Sequence, residues 1–289
     1  MKNFKARSFP ALTYTAPLFT VACLLGIIFG SFREGLPLFE SVGLKEFLGT
    51  NSWYPTHAQP EFGSLALIAG SLIVTLGALI IAIPLGLGAA IFLSEIAGPR
   101  LREIAKPVIE LLAGIPSVVY GLFGMAFLAP LVRQWFGLDT GLNVFTASLI
   151  LGVMIVPVIC SMGEDALSSV PKNLREASLA LGATRAETIF KAVVPAAKNG
   201  LAGSVLMGFG RAIGETMVVL MVAGGAARIP GSIFDPARPL TSTIAAEMGE
   251  TVMGDLHYQS LFALAIILFL ITFVSNLITE TLLMKRGGR

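Results

Sequence analysis

Six stretches of this chain are too long and too apolar to be core elements of a water-soluble domain. They cover residues 16–32, 65–93, 108–131, 145–162, 201–226 and 261–283, and aliphatic and aromatic side chains dominate each one. A helix crosses the hydrocarbon of a bilayer with about 20 residues. Lipid offers no partner for backbone N–H and C=O groups, so a spanning segment of this kind bonds them internally as a helix. Composition agrees, because only 13% of the 289 residues are charged, against about 25% in a typical soluble domain. The expected fold class is an all-α polytopic membrane protein with six transmembrane helices. A net charge of +2 gives no bulk electrostatic argument for nucleic acid as a partner.

Orientation follows from lysine and arginine, which accumulate on the cytoplasmic side. With the N-terminus inside, 14 of the 20 fall in cytoplasmic segments, 5 fall outside and Arg211 lies within a span. Both termini and the loop at 173–203 are therefore expected in the cytoplasm. Lys2, Lys5 and Arg7 precede the first span as they would in a signal peptide. No clear small-x-small cleavage pattern follows, so the span reads as a retained anchor helix.

Two external loops, 33–63 and 227–260, are long enough to form something, and they read either as partner-binding surfaces or as plain connectors. Trp53-Tyr54-Pro55 in the first suits the headgroup level or a partner surface. Pro230, Pro236 and Pro239 in the second shape a non-helical entry. Cys23 and Cys160 sit in apolar spans and read as small buried thiols. His57 and His257 lack ligand spacing and read as loop histidines rather than a metal pair.

Residues 173–203 form a polar, helix-forming interruption between two apolar stretches. Pro171 marks a helix start, Leu174 to Leu181 are good helix formers, and Gly182 falls where a helix end takes the left-handed conformation. Thr184-Arg185-Ala186-Glu187 matches the capping box that opens a second helix. Ala186, Ile189, Phe190, Val193 and Val194 then make one apolar stripe, and Pro195 discourages simple continuation. Such a loop is either a surface helix lying on lipid headgroups or a shaped knob for a cytoplasmic partner.

Glu176-Ala177-Ser178, three residues, Gly182, and Pro195 thirteen positions later resemble the EAA loop of ABC importer permeases. Ser178 replaces the second alanine of that pattern, while Ala192 and Val194 replace its isoleucine and leucine. The resemblance implies the type I ABC importer permease fold. It also implies that Glu176, Ala177, Gly182 and Pro195 couple the chain to an ATP-binding subunit. This sequence has no Gly-x4-Gly-Lys-Ser/Thr phosphate loop, the motif that cradles nucleotide phosphates. It is read as a transport subunit rather than an enzyme, with no cofactor of its own and with ATP and magnesium on partner subunits.

The fifth stretch holds Arg211-Ala212-Ile213-Gly214-Glu215-Thr216. An arginine at the centre of a membrane helix costs about 2.5–3.5 kcal/mol, so it is a functional candidate by default. Four residues separate Arg211 from Glu215, which on a continuous helix lets them pair. The pair either satisfies itself and pins packing, or presents Arg211 to an anion with Glu215 restraining it. A guanidinium fork suits tetrahedral oxyanions. Gly114 and Pro116 beside Ser117 either line the path with a bend or serve packing alone.

The same segment resembles the phosphate-specific transport permeases. Their motif is Arg-Ala-hydrophobic-Gly-Glu-Thr, whereas sulfate and molybdate permeases typically carry Gly-Glu-Phe. Residues 48–55, 110–121 and 240–250, with His257-Tyr258, match further. Met217-Val218-Val219 resembles the PstC-type branch, since the PstA type tends to Ala-Pro there. The resemblance implies that Arg211, Glu215 and Thr216 line the substrate path. It divides the chain into an anchor helix with first external loop at 1–63 and a permease core at 64–289. The implied partners are a homologous permease, two ATP-binding subunits, an external phosphate-binding protein and the lipid membrane. Competing readings are a permease for sulfate, molybdate or another oxyanion, and an ion-coupled secondary transporter.

Overall fold

A computed structural model describes the backbone of residues 2–287 and the side chains of residues 15–277. Lys2, Lys5, Arg7, Lys285, Arg286 and Arg289, which carry part of the predicted orientation, lie outside those described side chains. In chain order the helices begin with α1 (Lys2–Gly35), α2 (Leu38–Ser41) and α3 (Leu44–Gly49). A two-stranded antiparallel hairpin follows, β1 (Trp53–Tyr54) pairing with β2 (Glu61–Phe62). Then come α4 (Leu65–Ile91), α5 (Pro99–Ala113), α6 (Ser117–Phe123), α7 (Ala129–Phe136) and α8 (Val144–Ser168). The chain ends with α9 (Lys172–Ala180), α10 (Arg185–Glu187), α11 (Val194–Ile213), α12 (Met217–Val222), α13 (Leu240–Glu247) and α14 (Leu256–Gly287). Of three π-helical turns, Gly124–Leu128 and Thr188–Val193 join successive helices without a break, while Phe92–Ile96 closes α4 before extended backbone at Ala97 and Gly98.

Helices α4, α8 and α11 form the centre, with Val74, Ala78, Ala82, Leu151, Ile155 and Ile159 in its core. Small residues let these backbones approach, as membrane packing requires. Ile159 is the example: a Cβ placed on Gly86 of α4 or on Gly208 of α11 would sit 2.8 Å from its side chain. Asn143 starts α8 by accepting the Thr146 N–H at 2.9 Å, which satisfies one of the donors a helix leaves open. Helix α1 packs along α14, outside this centre.

Five segments among the described residues are long and apolar enough to cross a membrane: Thr15–Ser41, Leu65–Ile96, Ser117–Phe136, Val144–Ser168 and Leu256–Leu277. Two predicted spans are revised. The stretch expected at 108–131 is not one helix, because α5 ends at Ala113 and the crossing begins at Ser117. Pro116 lacks an N–H and disfavours helical geometry at Ile115, which separates the two. The stretch expected at 201–226 is also divided, with α11 ending at Ile213 and α12 starting at Met217.

Pro195, in contrast, ends nothing. The helical path runs on from Arg185 to Ile213, and the π turn before it puts Pro195 in the first turn of α11, where a missing N–H costs little.

Three smaller expectations also change. Trp53 is 2% exposed, packed edge-on against Phe47 and Phe62, so it is core rather than a headgroup or partner contact. His257 is the second residue of α14 and bonds Glu247, so it is no loop residue. Cys160 is buried, but Cys23 is exposed on α1.

Candidate functional site

The loop at 173–203 folds as its local chemistry predicts. Pro171 precedes α9, and Gly182 takes φ +84° just beyond it, the region glycine enters without strain. Thr184 accepts the Glu187 N–H while Glu187 accepts the Thr184 N–H, completing the capping box. The Thr184 backbone and then Lys191 hold the Glu187 carboxyl down to about 2. Ser178 bonds the buried Thr188 hydroxyl at 3.0 Å, so this departure from the EAA pattern ties α9 to the next helical turn.

The apolar stripe divides in two. Ile189 and Val193 turn inward, whereas Phe190 is 64% exposed and Leu181 is 90% exposed. No residue of α9 is buried, Glu176 and Ala177 included. The loop therefore presents an outward face with apolar points on it.

Arg211, Glu215 and Thr216 gather at a second place, where two broken helices meet. The predicted Arg211–Glu215 pair is absent, because α11 stops at Ile213 and the i, i+4 geometry stops with it. The Arg211 guanidinium instead donates to the Ala113 carbonyl at 3.3 Å, at the end of α5 where orphan carbonyls favour a cation. Tyr120 donates to the neighbouring Leu112 carbonyl at 3.1 Å. The Glu215 carboxylate accepts the Met217 and Val218 N–H groups at 3.1 and 3.4 Å, opening α12. Its carbonyl accepts the Thr241 hydroxyl at 2.7 Å, and Thr216 donates to Gly214.

Arg211 is exposed on the surface of the chain and has no carboxylate partner among the described residues. Lipid over that guanidinium would cost about 2.5–3.5 kcal/mol.

Sequence reasoning missed three charged groups that tie the helices together. Glu164, 1% exposed on α8, pairs with Arg102 and with Lys106 of α5, the latter at 2.8 Å. Lys106 also reaches Asp165 at 2.5 Å. Glu95, in the π turn after α4, pairs with Arg175 of α9. On the opposite end of the bundle, Glu247 accepts bonds from the Trp53 indole, Arg238 and His257. The available signal was an acid inside or just beyond an apolar stretch, as at Glu95 and Glu164. No group of three His, Cys, Asp or Glu side chains that could hold a metal ion occurs among the described residues.

With this geometry in hand, similarity to known proteins is specific. Residues 82–285 match the family model described as "Binding-protein-dependent transport system inner membrane component". The probable ABC transporter permease protein YqgH of Bacillus subtilis is 40% identical over 96% of this chain and 88% of its own length. The phosphate transport system permease protein PstC of Mesorhizobium japonicum is 37% identical, covering 97% of this chain and 90% of that protein. Among solved structures, a bacterial alginate ABC transporter superposes with a TM-score of 0.59 at 16% identity, over 93% of this chain and 92% of that one. The MetNI methionine ABC transporter gives 0.54 at 24% identity, over 76% and 94%. At those identities the two structures speak to the fold alone.

Proposed function

Because the chain belongs to the binding-protein-dependent transport system inner membrane component family, we propose that it is the PstC-type permease subunit of an ATP-driven importer of inorganic phosphate. The observation that carries the cargo is Arg211, an exposed guanidinium at the junction of two broken helices, next to the Gly214-Glu215-Thr216 break. It sits within the apolar stretch at 201–226, where lipid contact is unfavourable for a charge and a charged group marks a path. Relatives named as phosphate permeases over nearly the whole chain support the same cargo.

In this reading a homologous PstA-like permease covers the Arg211 face and completes the path. Two PstB-like subunits bind ATP and magnesium and engage the loop around Glu176, Ala177, Gly182 and Pro195. A PstS-like binding protein delivers phosphate from outside, and both termini lie in the cytoplasm. Closure of the ATPase pair displaces the loop and rocks the helices between inward-open and outward-open states. The Arg211 bond to Ala113 is long for N–H···O, so phosphate competes for the guanidinium with a weak partner. Glu215 holds the start of α12 and keeps a negative charge near the ion, which favours release.

The test is reconstitution of the four kinds of subunit in liposomes with radiolabelled phosphate outside. Uptake that requires ATP inside and the binding protein outside is the expected result. Uptake by this chain alone without ATP would make it a secondary transporter, and uptake of sulfate or molybdate in preference to phosphate would reassign the cargo.

A further inference from the structure

We propose that the ion pair between Arg175 and Glu95 is the fastener through which the inner end of α4 follows the coupling helix α9. This rests on the reading that the loop at 173–203 engages an ATP-binding subunit. Helix α9 buries none of its residues, so no hydrophobic core locks it to the membrane helices. What holds it is polar. The Arg175 guanidinium donates to both carboxylate oxygens of Glu95, at 2.7 and 3.1 Å. It also donates to the carbonyls of Leu167 and Val170, at 2.9 and 2.6 Å.

Each acceptor lies at the end of a central helix or just beyond it. Glu95 lies in the π turn that closes α4, and its side chain is 7% exposed. Leu167 lies in the last turn of α8 and Val170 just beyond it, where carbonyls without helical partners favour a cation. One side chain therefore joins α9 to the inner ends of α4 and α8, two of the three helices that form the centre of the molecule. The two-point fork onto Glu95 fixes direction as well as distance, which a single point charge does not. The Ser178–Thr188 bond ties the same helix to the path leading into α11 and Arg211. A displacement of α9 thus reaches α4 through Arg175 and α11 through Ser178, and only the first route crosses an ion pair.

Arg175 is a positioning residue in this scheme, since it touches neither nucleotide nor phosphate. The experiment uses the assembled importer in liposomes with Arg175→Gln, Arg175→Lys and Glu95→Gln. The two glutamine variants are expected to co-purify with the ATP-binding subunits and to keep basal ATP hydrolysis. Phosphate moved per ATP should fall about tenfold, within the usual range of coupling between sites. Arg175→Lys, which keeps charge without the fork, should fall between. Arg175→Cys with Glu95→Cys, in a background lacking the native thiols, should be uncoupled when reduced and recoupled by a short bifunctional thiol reagent.

An unchanged ratio in an assembled glutamine variant would overturn the proposal, as would failure of the cross-link to restore it. Loss of ATPase co-purification in both glutamine variants would also overturn it, because Arg175 would then serve docking rather than transmission. Failure of the underlying reading looks different: the wild-type complex would itself transport without ATP.

Discussion

Arg211 illustrates how a residue's role depends on what its helix does next. Spacing suggested a partner four residues on, but the helix ends at Ile213 and leaves Glu215 to bond Met217 and Val218 instead. The guanidinium is left with one long bond to a carbonyl. A hydrogen bond to a charged group is worth about 1.5–3 kcal/mol, so Arg211→Ala is expected to slow phosphate uptake by about 10- to 100-fold. Assembly with the other subunits should be unaffected, because in the proposed reading Arg211 faces the path, and it makes no ion pair among the described residues. Arg211→Lys should retain part of the activity, since it keeps the charge and loses the fork. Uptake of labelled phosphate, normalised to co-purified complex, checks both.

At the scale of elements, the loop at 173–203 is the segment most completely legible in the sequence. Its helix start, left-handed glycine and capping box all depend on neighbours within four residues, and all three form. Gly182 makes a clean test because nothing lies within 4 Å of a Cβ built there. Its requirement is conformational alone. Placing a residue with a side chain in the left-handed region costs about 1–2 kcal/mol, and a β-branched one fits worst. Gly182→Val is therefore expected to reduce association with the ATP-binding subunits about tenfold, with Gly182→Asn much milder. Co-purification across a salt series would show it, and equal behaviour of the two variants would assign the glycine another role. The broken spans were less legible, because hydropathy averages across Gly114-Ile115-Pro116 and Gly214-Glu215-Thr216 without registering either break.

The whole molecule is held together by contacts that join distant parts of the chain. Residues 38–62 share a core with Leu240, Leu261 and Leu264, so the segment between α1 and α4 is packed onto the last third of the protein. Trp53 sits in that core and donates its indole N–H to Glu247 at 3.0 Å. Trp53→Ala should lower stability by about 3–5 kcal/mol, as for other buried aromatics. Trp53→Phe keeps much of the ring packing and should lose less. Thermal unfolding of the detergent-solubilised protein measures the difference. An alanine variant that melts like wild type would mean this core contributes little.

Short-range physics accounts for everything that could be read from the residues alone: the long apolar runs, the loop that interrupts them, and the caps within that loop. Arg211 and Glu215 also stood out early, because a charge in an apolar stretch is conspicuous by composition. Only the tertiary structure decided their partners. Arg175 meets Glu95 across 80 positions, Arg211 meets Ala113 across 98, and Trp53 meets Glu247 across 194. Such pairings follow from how α4, α8 and α11 pack and where the spans break. No local pattern encodes them, because the energy that selects a distant partner arises only once the intervening helices are in place.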